Sequence, residues 1–357
     1  MRRRAFLAGG MGLALAPLLR AEEVKYPAVN PGYALSFPRD HGAHPGFRTE
    51  WWYVTGWLAT ARGETLGFQV TFFRSRPPFD GANPGSFAPR QVMLAHAALA
   101  DPKLGRLRHD QRAARQALGL AGSSEETTAV WIDDWRLALD GDIYRTRIAA
   151  REFLLDLEFS AGGPPLLQGE GGISRKGRRT EEASYYYSRP QLAVRGSVDR
   201  GGGSAAVTGA AWLDHEWSSS HMAREAIGWD WAGLNLANGG ALMAFRMRDR
   251  QNGPHFAGGT FVSAAGESRT FAPEEIVFEP LRRWRSPRTG VEYPIAMRVR
   301  AGGLRWDLAP LMDDQELDAR ASTGTIYWEG AVRALDGGAE TGRGYLELTG
   351  YWKPMKL

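Results

Sequence analysis

Past residue 45 apolar and polar side chains alternate in short runs. In "EFLLDLEF" Phe153, Leu155, Leu157 and Phe159 fall on one side, and Glu152, Asp156 and Glu158 on the other. "LMAFRMRD" sets Met243, Phe245 and Met247 against Arg246 and Arg248. "IAMRVR" repeats the pattern with Ile295, Met297 and Val299, "LRWDL" with Leu304, Trp306 and Leu308, and "YLELTGYW" with Leu346, Leu348 and Trp352. A period of two puts alternate side chains on opposite faces, so each run predicts a strand with one wet face. Turn residues separate the runs: "DGD" at 140–142, "RGGGS" at 200–204, "NGG" at 238–240, "AGG" at 301–303 and "DGG" at 336–338. Many strands at this spacing predict antiparallel barrels or sandwiches. Two stretches, 109–120 and 311–321, predict short helices.

Composition agrees with an all-β chain: 357 residues hold 44 Gly, 20 Pro and 13 Trp. The polar bridge "SSSHMAREA", 218–226, is the best boundary, giving domains of 24–220 and 221–357. Each has strands enough for a barrel with room for one ligand. Neither a P-loop, nor G-x-G-x-x-G ahead of a helix, nor G-x-S-x-G occurs, which argues against nucleotide binding and against an α/β-hydrolase.

Residues 1–21 predict a twin-arginine signal peptide, with Arg3, Arg4, Phe6 and Leu7 in an R-R-x-F-L pattern and a short apolar run behind them. The expected location is periplasmic. This segment carries four arginines and no acid, so the remaining chain has 40 basic and 40 acidic residues. A balanced charge gives no footing for nucleic-acid binding. With no Cys, disulfides, thiolate metal sites and a Cys nucleophile are excluded.

Five blocks in order, "HPGFRTEWWYVTGWL", "GFQVTFFR", "SYYYSRPQLAVRG", "GAAWLDHEW" and "GWDWAGLNL", resemble the AttH/carotenoid 1,2-hydratase family. The resemblance implies two tandem lipocalin-like antiparallel β-barrels, an apolar lipid or isoprenoid-like ligand, and no cofactor. Some members of that family hydrate carotenoid double bonds. Others are exported proteins associated with ABC-type permeases, and the export signal is closer to these. A transporter permease is therefore an expected partner.

Hydrating an isolated alkene needs a neutral acid in an apolar site to protonate C=C, which a carboxylic acid of raised pKa provides. The resulting cation is stabilised by indole and phenol faces, by about 2 kcal/mol when desolvated. Asp214, His215 and Asp230 are the catalytic candidates, and Trp217, Trp229, Trp231 and Tyr186 the ligand-binding ones. Strand geometry limits them. On a regular strand Trp212, Asp214 and Glu216 share one face and Leu213, His215 and Trp217 the other; Asp230 points away from Trp229 and Trp231. Either set of 212–217 could look inward. Equally, buried acids could pair structurally with Arg48, Arg74, Arg189 or Arg246.

A second constellation is His41, His44 and Glu50. H-x-x-H with a later Glu could ligate zinc, but Gly and Pro intervene and no helix presents the histidines together. The expectation is no metal, and a turn into the first strand with Arg48 and Glu50 at the surface or mouth and Trp51 and Trp52 facing opposite sides. Three functions compete: a carrier needs an apolar lumen, an enzyme needs an acid on the wall of a cavity of several hundred Å³, and a scaffold needs neither.

Overall fold

The computed structural model describes residues 24–78 and 90–355. The expected signal peptide at 1–21 lies outside the described residues. Among the described residues, thirteen strands between Thr49 and Ser218 form one antiparallel sheet, and ten between Gly228 and Leu348 form another. In each, the first strand is closed by a late one. Thr49–Thr60 pairs with Ser204–Ser218 in unbroken register from Thr49↔Ser218 to Thr60↔Val207. Gly228–Leu236 pairs likewise with Ala339–Leu348. Both sheets curl into barrels, the first bringing Val92–Asp101 against Ala129–Ile132.

Among the described residues four apolar clusters follow from this, a small one of Ala98, Leu107, Leu317 and Tyr327 and three larger ones. One fills the first barrel, with Trp52, Phe68, Phe72, Phe159, Tyr187 and Trp217. One fills the second, with Ile295, Met297, Val299, Trp328 and Leu348. The third is a seam between the barrels, built from Tyr53, Trp57, Tyr186 and Trp212 on one side and Trp231, Met243, Phe245 and Tyr345 on the other. Strands at the seam therefore have both faces covered. This corrects the expectation of one wet face for Ala241–Arg248. Met243, Phe245 and Met247 pack in the seam, while Arg246 and Arg248 point into the second barrel and bond Asp230.

The two expected helices are absent. Residues 109–115 belong to the strand Arg106–Arg115, laddered to Val92–Asp101 from Asp101↔Arg106 to Val92↔Arg115. Within 311–321 lies the strand Glu316–Ala319, paired with Thr325–Asp336. Local propensity is a weak preference that a continuous hydrogen-bond ladder overrides.

The segment before the first strand crosses the end of the first barrel. Val29 and Ala43 are buried in its core. The Asn30 N–H donates to Tyr185 Oη at 2.7 Å, and Thr128 Oγ1 donates to the His41 carbonyl at 2.8 Å. Gly42 is obligatory there, because a Cβ would stand 2.1 Å from the Glu125 carbonyl oxygen.

Candidate functional site

The strand Ser204–Ser218 carries two chemistries back to back. Leu213, His215 and Trp217 face the first barrel's interior; Trp212, Asp214 and Glu216 face the seam. The neighbouring strand Ala183–Asp199 divides the same way, with Tyr185 and Tyr187 inward and Tyr186 in the seam. Trp229 and Trp231 also reach the seam, and Asp230 turns into the second barrel. The seven candidates thus fall in three places. Asp214, Tyr186, Trp229 and Trp231 share the seam, while His215 and Trp217 are on the other side of the wall and Asp230 is in the other barrel.

In the seam Asp214 accepts from Tyr186 Oη at 2.7 Å, Trp212 Nε1 at 2.6 Å and Ser188 Oγ. Trp231 Nε1 donates to Tyr186 Oη at 3.1 Å. Glu216 accepts from Ser184 and pairs with Lys176 Nζ at 3.0 Å. The Lys176 ammonium sits 4.2 Å from the Phe245 ring centroid and 4.8 Å from that of Tyr186. Tyr53 bonds Glu329, and Trp229 Nε1 donates to Glu347 at 3.0 Å. Among the described residues, Glu216 is the one of these four carboxyls that is ion-paired. Burial raises the Asp214 pKa to about 7, against the pull of its three neutral donors. Burial, helped by the charges of Asp214 and Glu216, takes half-buried Glu347 to about 7. Glu329 is pushed well above the carboxylate range by burial and by Glu347. A carboxyl that is partly protonated near neutrality, among indoles and phenols, is what alkene protonation requires.

The first barrel holds the opposite arrangement. Glu50, expected at the surface or mouth, is fully buried. One carboxylate oxygen accepts from His44 Nδ1 and His215 Nε2, both at 2.9 Å; the other accepts from Arg74 Nε at 2.8 Å. His44 Nε2 lies 3.1 Å from Asp40 Oδ1, so both its ring nitrogens face carboxylates and both must carry hydrogen. The two carboxylates raise its pKa against burial, while Glu50 is held well below its usual value by the histidines and Arg74. His44 stacks on Trp217 at 3.7 Å and His215 on Trp52 at 4.8 Å.

A directional chain leads into this group. Arg189 donates to His41 Nε2 at 3.3 Å, so His41 Nδ1–H donates to Tyr187 Oη at 2.9 Å. Tyr187 O–H then donates to His215 Nδ1 at 3.2 Å, and His215 Nε2–H to Glu50. An obligatory donor at one end and an obligatory acceptor at the other fix every tautomer between. Burial lowers the pKa of His41 to about 4 and lowers that of His215, keeping both neutral. His44, Glu50 and His215 also have metal-type spacing, their ligand atoms lying within 4.8 Å of one another. Imidazolium and guanidinium already balance the charges of Asp40 and Glu50 there.

Asp230 is joined to arginines. Arg246 and Arg248 share its two oxygens, Arg248 Nε at 3.1 Å, and Tyr351 Oη donates to it at 2.9 Å. Sequence reasoning missed Lys176, Glu329 and Glu347. An acid inside the otherwise apolar "YLELTG" was the available signal for Glu347. A groove of about 590 Å³ opens at the far end of the first barrel, lined by Arg62, Glu64, Asp101, Lys103, Arg108 and Arg200. It is charged and open, and no candidate residue lines it.

A family profile described as AttH-like matches residues 28–351. No curated protein matches the chain by sequence. The crystal structure of an AttH from Nitrosomonas europaea is 49% identical with a TM-score of 0.86, covering 91% of this chain and 99% of that one. Kievitone hydratase from Nectria haematococca shares the fold at 16% identity and a TM-score of 0.68, over 93% of this chain and 98% of its own.

Proposed function

The chain belongs to the AttH-like family, and from this we propose that it takes an apolar, alkene-bearing ligand at the seam between its barrels and hydrates it, with Asp214 as the acid. The observation that carries the reading is the Asp214 carboxyl, buried, raised to about 7 and bonded by Tyr186 and Trp212. The likeness of the fold to a hydratase supports it.

In the proposed step Asp214 gives its proton to one alkene carbon, and the C=C pair forms the new C–H bond. The cation left on the other carbon is held by the faces of Tyr186, Trp212 and Trp231. Water adds to it, and the resulting oxonium returns a proton to Asp214. The sum is one water added, with the acid restored and no electrons exchanged.

The protein would act in the periplasm after twin-arginine export. A second reading is non-catalytic, a carrier or a scaffold serving an ABC-type transporter, and the way side chains fill both barrels favours the scaffold.

The test begins with native mass spectrometry of protein from its own host, identifying any co-purified molecule. That molecule, or failing one a panel of acyclic isoprenoid alkenes, is then incubated with the protein in ¹⁸O-labelled water. Wild type should incorporate label, and Asp214→Asn should be slower by about 10²-fold or more. Equal rates for the two proteins would remove Asp214 as the acid. An unmodified bound lipid with no labelling would favour the carrier.

A further inference from the structure

Among the described residues, three buried arginines meet buried groups in different ways. Arg74 has Glu50, and Arg248 has Asp230. Arg189 has no carboxylate within ion-pair distance among the described residues. It is 7% exposed and points into the first barrel. Its terminal nitrogens reach only neutral acceptors, the Gly163 carbonyl at 3.0 Å and His41 Nε2 at 3.3 Å, and its Nε has no partner. The Tyr144 hydroxyl, fully buried, makes no well-formed hydrogen bond either, although Arg189, Tyr187 and Thr128 stand close to it. The two groups stand together: the Arg189 guanidinium carbon lies 5.8 Å from the Tyr144 ring centroid.

The charge of the surrounding network sharpens the point. Asp40 and Glu50 are matched by Arg74 and by His44, whose two ring nitrogens both face carboxylates. Arg189 is connected to that network through His41 and Tyr187 and is left over as one positive charge. Burying an unpaired charge is costly, and water would satisfy its hydrogens without supplying the missing charge. A carboxylate supplies both, since guanidinium and carboxylate match in a forked pair.

We infer that Arg189 and Tyr144 form a carboxylate-binding site inside the first barrel, separate from the seam. Arg189 Nε and a terminal nitrogen take the two oxygens, and the Tyr144 hydroxyl donates to one of them. The contact between Arg189 and Gly163 sets the site beside the exposed turn at 162–164, which gives a route of entry. The carboxylate can belong to a small free acid or to the head of an amphiphile.

The experiment is calorimetric titration of the intact protein with acetate, decanoate and decanol. One carboxylate should bind per chain. Decanoate should bind Arg189→Gln at least about tenfold more weakly, the scale of one lost charge-assisted pair. Tyr144→Phe deletes only a hydroxyl that makes no well-formed hydrogen bond, so it should fold, and it should weaken binding several-fold; it decides the matter alone if Arg189→Gln does not fold. Asp214→Asn should bind decanoate like wild type, which keeps this test apart from that of the seam. Binding of acetate as well as decanoate would identify a small-acid site, and binding of decanoate alone an amphiphile head. Equal binding of decanoate and decanol, undiminished binding in both variants, or no carboxylate binding at millimolar concentration would overturn the inference.

Discussion

Asp214 and His215 are neighbours in sequence, yet the carboxyl clusters on either side of their strand behave in opposite ways. On the lumen side Glu50 is as buried as any group in the molecule and stays ionised, because two imidazoles and a guanidinium surround it. On the seam side Asp214 is also buried, but its partners are a phenol, an indole and a hydroxyl. They donate hydrogen bonds without supplying charge, so desolvation wins and the pKa rises to about 7. Burial sets the same penalty on both sides; the charge of the partners decides the sign. Asp230 has charged partners too, Arg246 and Arg248.

Breaking the lumen side should have the largest effect. Glu50→Gln keeps the shape but strands Arg74, and it should cost about 3–5 kcal/mol of stability, the scale for unpairing a buried ion. Urea unfolding at pH 7 measures this; a loss below about 1 kcal/mol would mean the network is not the brace described. A pH series sharpens the contrast. Asp214 has a folded pKa of about 7, above its ordinary 3.8. Between these values the folded state binds the extra proton, so its contribution is present in full below pH 4 and is lost as pH rises towards 7. Wild type should therefore lose about 3–4 kcal/mol relative to Asp214→Asn across that window. Identical slopes would place the Asp214 pKa at its ordinary value. Glu50 acts in the other direction. Its depressed pKa gives stability that is present above about pH 4.5 and is lost in acid. The smallest effect is expected from Asp214→Asn at pH 4, where the neutral acid and the amide each offer one acceptor oxygen and one donor group, so stability should move by less than about 1 kcal/mol while hydration falls.

Much of the strand pattern could be read from alternation and turns, and so could the split of 212–217 into two sets. Which set faced the lumen could not. A period of two fixes relative faces, and where both sides of a strand are covered no wet face marks the outside. Glu50 illustrates a different limit. A glutamate after "HPGFRT" reads as a mouth residue because glutamates are seldom fully buried. Its partner His215 lies 165 residues away, beyond any local pattern. The false helix at 109–120 reflects Ala, Gln and Arg favouring helix in isolation, with the ladder to Val92–Asp101 invisible in a short window.

The pairing of Thr49–Thr60 with Ser204–Ser218 has a consequence in time. While the chain is being made, its earliest strand waits unpaired on that edge until residue 218 has emerged. Its outer face, with Tyr53 and Trp57, stays bare until the second barrel's late strands arrive with Glu329, Gly344 and Tyr345. Such long-range closure is slow, and it leaves a sticky edge exposed throughout synthesis. A fragment stopped near residue 220 would carry a complete first sheet and an uncovered aromatic wall. Self-association is the fate expected of it.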